Sequence, residues 1–476
     1  LKLHKGQYSL VQVLPESFRS RIERYGKRVM SYVSHRGEFL LKDKPCSMDN
    51  ARALMAAHPA IDLLPHVRAI VSCPVLDKDL TILGKGYHED SGILVTHGKM
   101  PSGVTLDDAV KSLHGLLCDN DFITESDKAR ALSMMILPML KMSGFITDPC
   151  PIDTAEANES QSGKTYRQKV IAAIYNSTPL VVTQKKGGVG SVDESIASAL
   201  ATGRPFVLLD NFRGNFDSAM LEAIITTPET VSIRLPRQAE QIIDVRAVSF
   251  QLSSNGVDTT ADMANRSCIS RIRKQSARQW TRWAEGDLLA HVKANQHYYL
   301  GCVMTVVKTW VNAGQSMTDT TEHDMRQWAQ SMDWIVQNIF NTPPLLVGHQ
   351  GIQKQVSNPQ LTWLREVCLQ ADRDEKLDFD LLAHNIAELC EHADIEYPNK
   401  RKYHDEETAF RYIGIIMCKI FNMQDSVIID SYQVTRSEKE KYNEKIKEHR
   451  MSKVYEIKML HAETTLDQPT INPTKW

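Results

Sequence analysis

The spacing of apolar positions changes character along the chain. Over about the first 120 residues the pattern is mixed. Apolar residues recur at helical spacing near Pro15 to Val33 and near Ser47 to Ala57, and a turn-rich, strand-like stretch follows from Val71 to Val95. Within it GYHEDSGILV sets Asp90, Ser91 and Gly92 between two short segments, which predicts a hairpin. From Thr124 to Met142 the spacing is helical, with Thr124 placed as N-cap and Ser126 and Asp127 close behind it. Short apolar runs then alternate with amphipathic ones: CPIDTA, Thr165 to Tyr175, PLVVTQ, Ser195 to Thr202, PFVLLD, Ser218 to Ile225, VSIRL and VRAVSFQLSS. That alternation predicts an α/β sheet with helices packed on it.

Beyond Trp283 the pattern is helical through Trp334, and HVKANQHYYLGCVMTVVKTWV supplies one long apolar face. A loop at Asn341 to Pro344 leads to a last helical module that ends in two strand-like runs, VIIDSYQV and KVYEIKM. Helices followed by a hairpin predict a winged-helix-like module. Between the two runs, Arg436 to Arg450 interleaves Glu438, Glu440, Glu444 and Glu448 with its basic residues, a pattern more typical of a solvated helix than of a phosphate-binding stripe. The same discount applies to the basic NKRK at 399–402. The predicted modules are a mixed N-terminal collar or partner-binding piece over 1–122, a sheet core over 123–284, a helical lid over 285–345 and a C-terminal helical and winged-helix-like module over 346–476.

Composition narrows this picture only slightly. A chain of 476 residues is long enough for about three domains, and 42% hydrophobic with 24% charged residues is ordinary for a folded protein. The formal net charge of −2 gives no global basic signature, so a nucleic-acid contact has to come from local clusters. Nine cysteines without a CxxC pair read as reduced, small apolar residues and not as zinc ligands. No window approaches 18 uninterrupted apolar residues and no leader pattern opens the chain, which predicts a cytoplasmic protein with no membrane partner.

The chemistry is concentrated in NESQSGKTYRQKV, which follows a predicted strand and opens a predicted helix, the context that a phosphate-binding loop requires. Glu159, Ser160, Gln161, Ser162, Gly163, Lys164, Thr165 and Tyr166 form the candidate nucleotide-binding stretch. Lys164 would reach the β and γ phosphates, Thr165 would coordinate Mg²⁺, and the backbone N–H groups from Gln161 to Thr165 would cradle phosphates at the positive end of the helix. Asn158 stands where the full pattern wants glycine. PFVLLDN ends an apolar strand in Asp210, placed to hold Mg²⁺ through a water. Asn211 follows where many motors carry a second acid, which leaves Glu194, Asp193 and Asp210 itself as candidate bases. VSFQLSSN offers Asn255 to a γ phosphate or an attacking water, and DMANRSCISRIRK offers Arg266 as a finger for a neighbouring subunit's ATP, with Arg271 and Arg273 as competitors.

Taken in order, Lys164, Asp210, Asn255 and Arg266 resemble the motif series of the superfamily 3 helicases of the AAA+ class. The resemblance is greatest to the poxvirus-type, primase-associated ATPases of phages, plasmids and integrative elements. It covers the core from about Ile123 to Lys274; GYHEDSG resembles a turn upstream of such cores, and AHVKANQHYYLGCVMTVVKTWVNAG the helix that follows them. It implies an AAA+ P-loop core, with Lys164 and Thr165 as the Walker A pair, Asp210 as the Walker B acid, Asn255 as sensor 1 and Arg266 as arginine finger. It also implies ATP and Mg²⁺ as cofactors and a homo-oligomer, usually a hexameric ring, acting on single-stranded DNA or a forked duplex. A primase or primase-polymerase partner, fused or separate, and a bacterial or phage-infected host cell follow from the same resemblance. The hairpin over VSIRLPRQAEQIIDV corresponds to a channel loop, which offers Arg234 and Arg237 to the DNA backbone; Lys185 and Lys186 on the glycine-rich QKKGG are a second pair.

The function expected from all this is an ATP-dependent DNA helicase or translocase serving replication of a phage or mobile element. Two alternatives stand beside it: an ATP-gated DNA-binding initiator or scaffold that hydrolyses weakly, which Asn158 and Asn211 favour, and a sensor ATPase of a defence system.

Overall fold

The computed structural model describes residues 1–460 except 5, 26–28, 36–37, 158–161, 184–189, 236–239, 275–279, 396, 399–405, 422–423, 430–431 and 444–447. At 4, 29–35, 38–42, 60–61, 213–215, 255–258, 355, 406–407, 441–443, 448 and 450 it describes the backbone alone. The chain divides into two compact units. The first holds Leu1–Phe212, Ser218–Asn255 and Arg266–Val347, and the second Arg213–Asp217, Gly256–Asn265 and the residues from Gly348 onward.

The first unit is mixed α/β, organised on a six-stranded sheet. Its strands are β1 (Asp121–Phe122), β2 (Ile152–Ala157), β3 (Leu180–Thr183), β4 (Phe206–Phe216), and, after a separate hairpin of β5 (Thr230–Arg234) and β6 (Glu240–Asp244), β7 (Ser249–Thr259) and β8 (Ser267–Arg273). The order across the sheet is β1-β8-β2-β7-β4-β3. β2 runs parallel to both its neighbours, with Ala155 beside Ser253 of β7 and Ile152 beside Ser267 of β8; β3 runs parallel to β4 with Thr183 beside Asp210; β1 is antiparallel at one edge. β2 is buried at every position, as expected for a strand in the middle of a sheet covered on both faces.

Local chemistry explains the main helices of this unit. α1 (Glu125–Met142) starts in a capping box: the Thr124 hydroxyl accepts from Asp127 N at 3.1 Å, and the Asp127 carboxylate accepts from Thr124 N at 3.1 Å. Asp127 is fully buried and also takes a 2.7 Å ion pair from Arg130, whose guanidinium donates further to the Ile269 and Leu345 carbonyls. α2 (Lys164–Ile174) packs behind the sheet, α3 (Val192–Leu200) and α4 (Ala219–Thr226) each start at a serine N-cap, and α5 (Leu288–Ala294), α6 (Gln296–Asn312) and α7 (Arg326–Asn338) complete the unit. The expected hairpin between Gly86 and Val95 is present as an antiparallel pair.

Two expectations are corrected. The helical pattern from Pro15 to Val33 gives a helix only over Pro15–Arg24; Val29–His35 then pairs antiparallel with Glu38–Lys44. VMSYVSH carries Val29, Tyr32 and Val33, β-branched and aromatic residues that suit a strand. The stretch from Arg436 to Arg450, expected as a solvated helix, lies largely within two 12-residue strands.

That hairpin belongs to the second unit, which contains α8 (His349–Val356), α9 (Pro359–Arg373), β9 (Asp380–Leu381), α10 (Ala383–His392), α11 (Glu406–Ile420), β10 (Ser426–Ile429), β11 (Tyr432–Asn443) and β12 (Glu448–Met459). The sheet order is β9-β12-β11-β10, and VIIDSYQV is divided between β10 and β11. Alternating charges extend as strands here because Val434, Tyr455 and Ile457 anchor one end of the ribbon in a core with Trp363, Ile386, Ile413 and Phe421. Glu438 then stands opposite Lys453 across the ladder. Among the described residues no helix is long and apolar enough to cross a membrane, and all nine cysteines are free.

Candidate nucleotide-binding site

The chain leaves β2 at Ala157 and re-emerges at Gly163, the N-cap of α2. Gly163 sits at φ +90°, in the left-handed region, and a Cβ there would stand 3.2 Å from the Asn120 side-chain amide. Only glycine meets both demands without strain. A strand ending in such a turn against the N-terminus of an 11-residue helix presents backbone N–H groups and the positive end of the helix dipole to one point in space. Lys164 is buried there, with its ammonium 3.0 Å from the Ser162 hydroxyl. Asn158, Glu159, Ser160 and Gln161 lie outside the described residues.

Thr165, the second residue of α2, donates its hydroxyl to Asp210 Oδ1 at 2.7 Å and lies 3.0 Å from the Ser253 hydroxyl. Ser253 in turn donates to the same carboxylate oxygen at 2.8 Å and accepts from Asn211 N at 2.9 Å. The three side chains come from α2, β4 and β7. The strand order accounts for this meeting: β7 lies between the strand that leads into the loop and the strand that carries Asp210, and its hydroxyl fills the gap. Asn211 follows Asp210 at φ +56°, a left-handed conformation that asparagine tolerates better than most residues, and its side chain is exposed.

Further out, the Tyr166 hydroxyl accepts from Leu289 N at 2.7 Å, at the start of α5, and partial burial raises its pKa. Beside Asn120, Asp119 accepts the Thr281 hydroxyl at 2.8 Å. Behind the loop, Arg167 and Asp153 form a buried ion pair. Burial pushes the Asp153 carboxyl above the ordinary aspartate range, with Arg167 opposing that rise.

No protein-family model matches the chain, and no curated protein matches it in sequence. A solved structure described as "SCCmec type IV Cch - active helicase" is similar at 11% identity, over 80% of this chain and 86% of that one, with a TM-score of 0.32. What this chain can do therefore rests on its own residues.

The other described candidates take different places in the fold. Glu194 accepts from Gly190 N and its own N–H goes to the Ser191 hydroxyl, so it closes the first turn of α3. Asp193 accepts the hydroxyl of Ser218, the N-cap of α4. Arg266 precedes β8, and its carbonyl accepts from Ile152 N at the start of β2. The loop leaves the far end of β2, five residues on, roughly 17 Å away at about 3.3 Å per residue. Arg266 therefore cannot reach the loop of its own chain; its guanidinium lies 3.8 Å from Glu222. Of its competitors, Arg271 is buried and pairs with Asp127 at 3.7 Å, and Arg273 pairs in register with Asp121 at the sheet edge. Arg234 is exposed on the β5–β6 hairpin opposite Glu240. Arg237, Lys185 and Lys186 lie outside the described residues.

β7 does not end at Asn255 but runs to Thr259, and the side chain of Asn255 is not described. The hydroxyl that joins Thr165 and Asp210 belongs to Ser253, two residues earlier, which the motif series does not include. No signal in the sequence marks it: its place follows from the register of Ser253 against Ala155, three residues before the loop.

Among the described residues no three His, Cys, Asp or Glu side chains gather as metal ligands. A threonine hydroxyl and one carboxylate fit Mg²⁺ in a different way, since that ion keeps several waters and takes its remaining ligands from phosphates. Helix-terminal amides, a buried ammonium and the hydrogen-bonded oxygens of Thr165, Asp210 and Ser253 are chemically suited to a metal-bound polyphosphate.

Proposed function

We propose that this chain is an ATP-hydrolysing motor acting on DNA, with an AAA+ core of the superfamily 3 type, and that it works as a ring. The observation that carries the reading is the closed group of Thr165, Asp210 and Ser253 beside the glycine turn and Lys164. Thr165 would bind Mg²⁺ directly and Asp210 through water; the ion would neutralise charge on the β and γ phosphates. Lys164 and the α2 amides would hold the phosphates, and Ser253 would keep the Asp210 carboxylate oriented. Arg266, beside the opposite end of β2, would complete the site of a neighbouring subunit.

In the second unit, the succession α9-β9-α10-α11-β10-β11-β12 with β9 against β12 supports a winged-helix-like module, with the β11–β12 hairpin as wing. The β5–β6 hairpin carrying Arg234 is the other proposed DNA contact.

The test is steady-state ATP hydrolysis by wild type and Lys164→Ala, with and without single-stranded DNA, across concentrations that span assembly. DNA-stimulated turnover that disappears in Lys164→Ala supports the motor. ATP binding without any Lys164-dependent turnover would instead favour the second reading, an ATP-gated DNA-binding initiator or scaffold. That reading has its own support, because Asn211 replaces an acid and Glu194 is engaged in capping α3.

A further inference from the structure

Gln168 is fully buried one turn into α2, three residues after Thr165. Its side-chain nitrogen donates to two main-chain carbonyls on neighbouring strands: Asp153 of β2 at 2.9 Å and Leu252 of β7 at 2.8 Å. Leu252 is the residue before Ser253. The link is returned from β7, where the buried Gln251 amide donates to the Gln168 carbonyl at 3.1 Å. A primary amide is the neutral side-chain group with two N–H donors on one atom, and two carbonyls on strands about 4.8 Å apart can share it. The helix that begins with Thr165 and the strand that carries Ser253 are thus joined in both directions, directly beneath the 3.0 Å approach of the two hydroxyls.

We propose that Gln168, with Gln251 returning the link, is a positioning residue: it holds Ser253 in register with Thr165 and so sets the Asp210 carboxylate for Mg²⁺. This rests on the nucleotide reading above and assigns the buried amides a role within it. Phosphate binding would depend on the loop amides and the Lys164 ammonium, whereas the Gln168 side-chain amide is engaged with the β2 and β7 carbonyls. Loss of the link should therefore weaken the metal-dependent part of nucleotide binding and leave the metal-independent part nearly intact.

The experiment is calorimetric titration of the full chain with ADP, in Mg²⁺ and in EDTA, for wild type, Gln168→Met, Ser253→Ala and the double variant, with thermal melts alongside. Residues behind metal ligands typically alter metal affinity about ten- to a hundredfold. Each single variant should lose about tenfold of the Mg²⁺-dependent tightening, with ADP affinity in EDTA within about twofold of wild type. The double variant should be no weaker than Ser253→Ala alone, because one residue acts through the other. Multiplying losses in the double variant, or an equal loss in EDTA, overturns the proposal and leaves Gln168 a packing residue. If Gln168→Met does not fold, Gln251→Leu takes its place in the cycle, and the same patterns of loss support or overturn the proposal. Wild type that binds no ADP in either condition refutes the nucleotide reading itself, a result separable from the others.

Discussion

At Gly163 one φ angle and one close approach make the same demand. Gly163→Ala adds roughly 1–2 kcal/mol of left-handed strain and sets a methyl group 3.2 Å from the Asn120 amide. The expected result is at least a tenfold loss of ADP affinity in a protein that still melts cooperatively, read by titration calorimetry and thermal unfolding. Lys164, Thr165 and Gly163 were legible in the sequence because SGKT at a strand-to-helix junction has a geometry attached to it. Ser253 was not, since a hydroxyl in the run SSN gains its meaning only from which strand lies beside which. Asn211 was legible as a missing acid, but its left-handed backbone was not. Burial has consequences elsewhere in the same unit. His323 packs edge-on to Trp328 and accepts from Met325 N, and burial lowers its pKa to about 4. Below about pH 6.5 the unfolded chain takes up a proton that the folded chain refuses, so stability falls as pH drops from about 6.5 towards 4, by roughly 3 kcal/mol at most. His323→Gln should flatten that part of a urea-denaturation pH profile.

Elements with one dominant period match their sequence pattern, and those with competing signals do not. The capping box at Thr124 and the strand-helix alternation from Ile152 onward carry local chemistry that agrees with their packing. The stretch around Arg436 to Arg450 offered a charge pattern equally compatible with helix or strand, and the apolar anchors at Val434 and Ile457, outside that window, decided it. The energies of this hairpin should follow the anchors. Ile457→Ala is expected to cost about 2–5 kcal/mol, as for other buried large-to-small changes. The Lys439–Asp380 pair, though only 2.6 Å apart, is screened by solvent at Lys439, so Lys439→Ala should unfold in urea at nearly the wild-type midpoint.

For the molecule as a whole, the parallel register determines what one chain can do alone. With the Gly163 turn at one end of β2 and Arg266 beside the other, a finger role requires a second subunit. Arg266→Ala should then lose about a thousandfold or more in turnover while retaining nucleotide affinity. Mixing it with inactive Lys164→Ala should restore part of the activity, because one variant supplies the intact loop and the other the intact arginine; failure to complement would place Arg266 outside the reaction. A two-fold dimer in which each copy presents the same face cannot pair a loop with an arginine unless both lie in that face. Contacts between unlike ends instead give head-to-tail assemblies, either closed or open-ended. A chain whose acceptor and donor lie at opposite ends of one strand would thus carry a direction, and an assembly built on that contact would inherit it. The Arg266–Glu222 contact adds a threshold: a dilute subunit keeps its donor occupied at home, and ATP consumption should rise more steeply than in proportion to protein concentration.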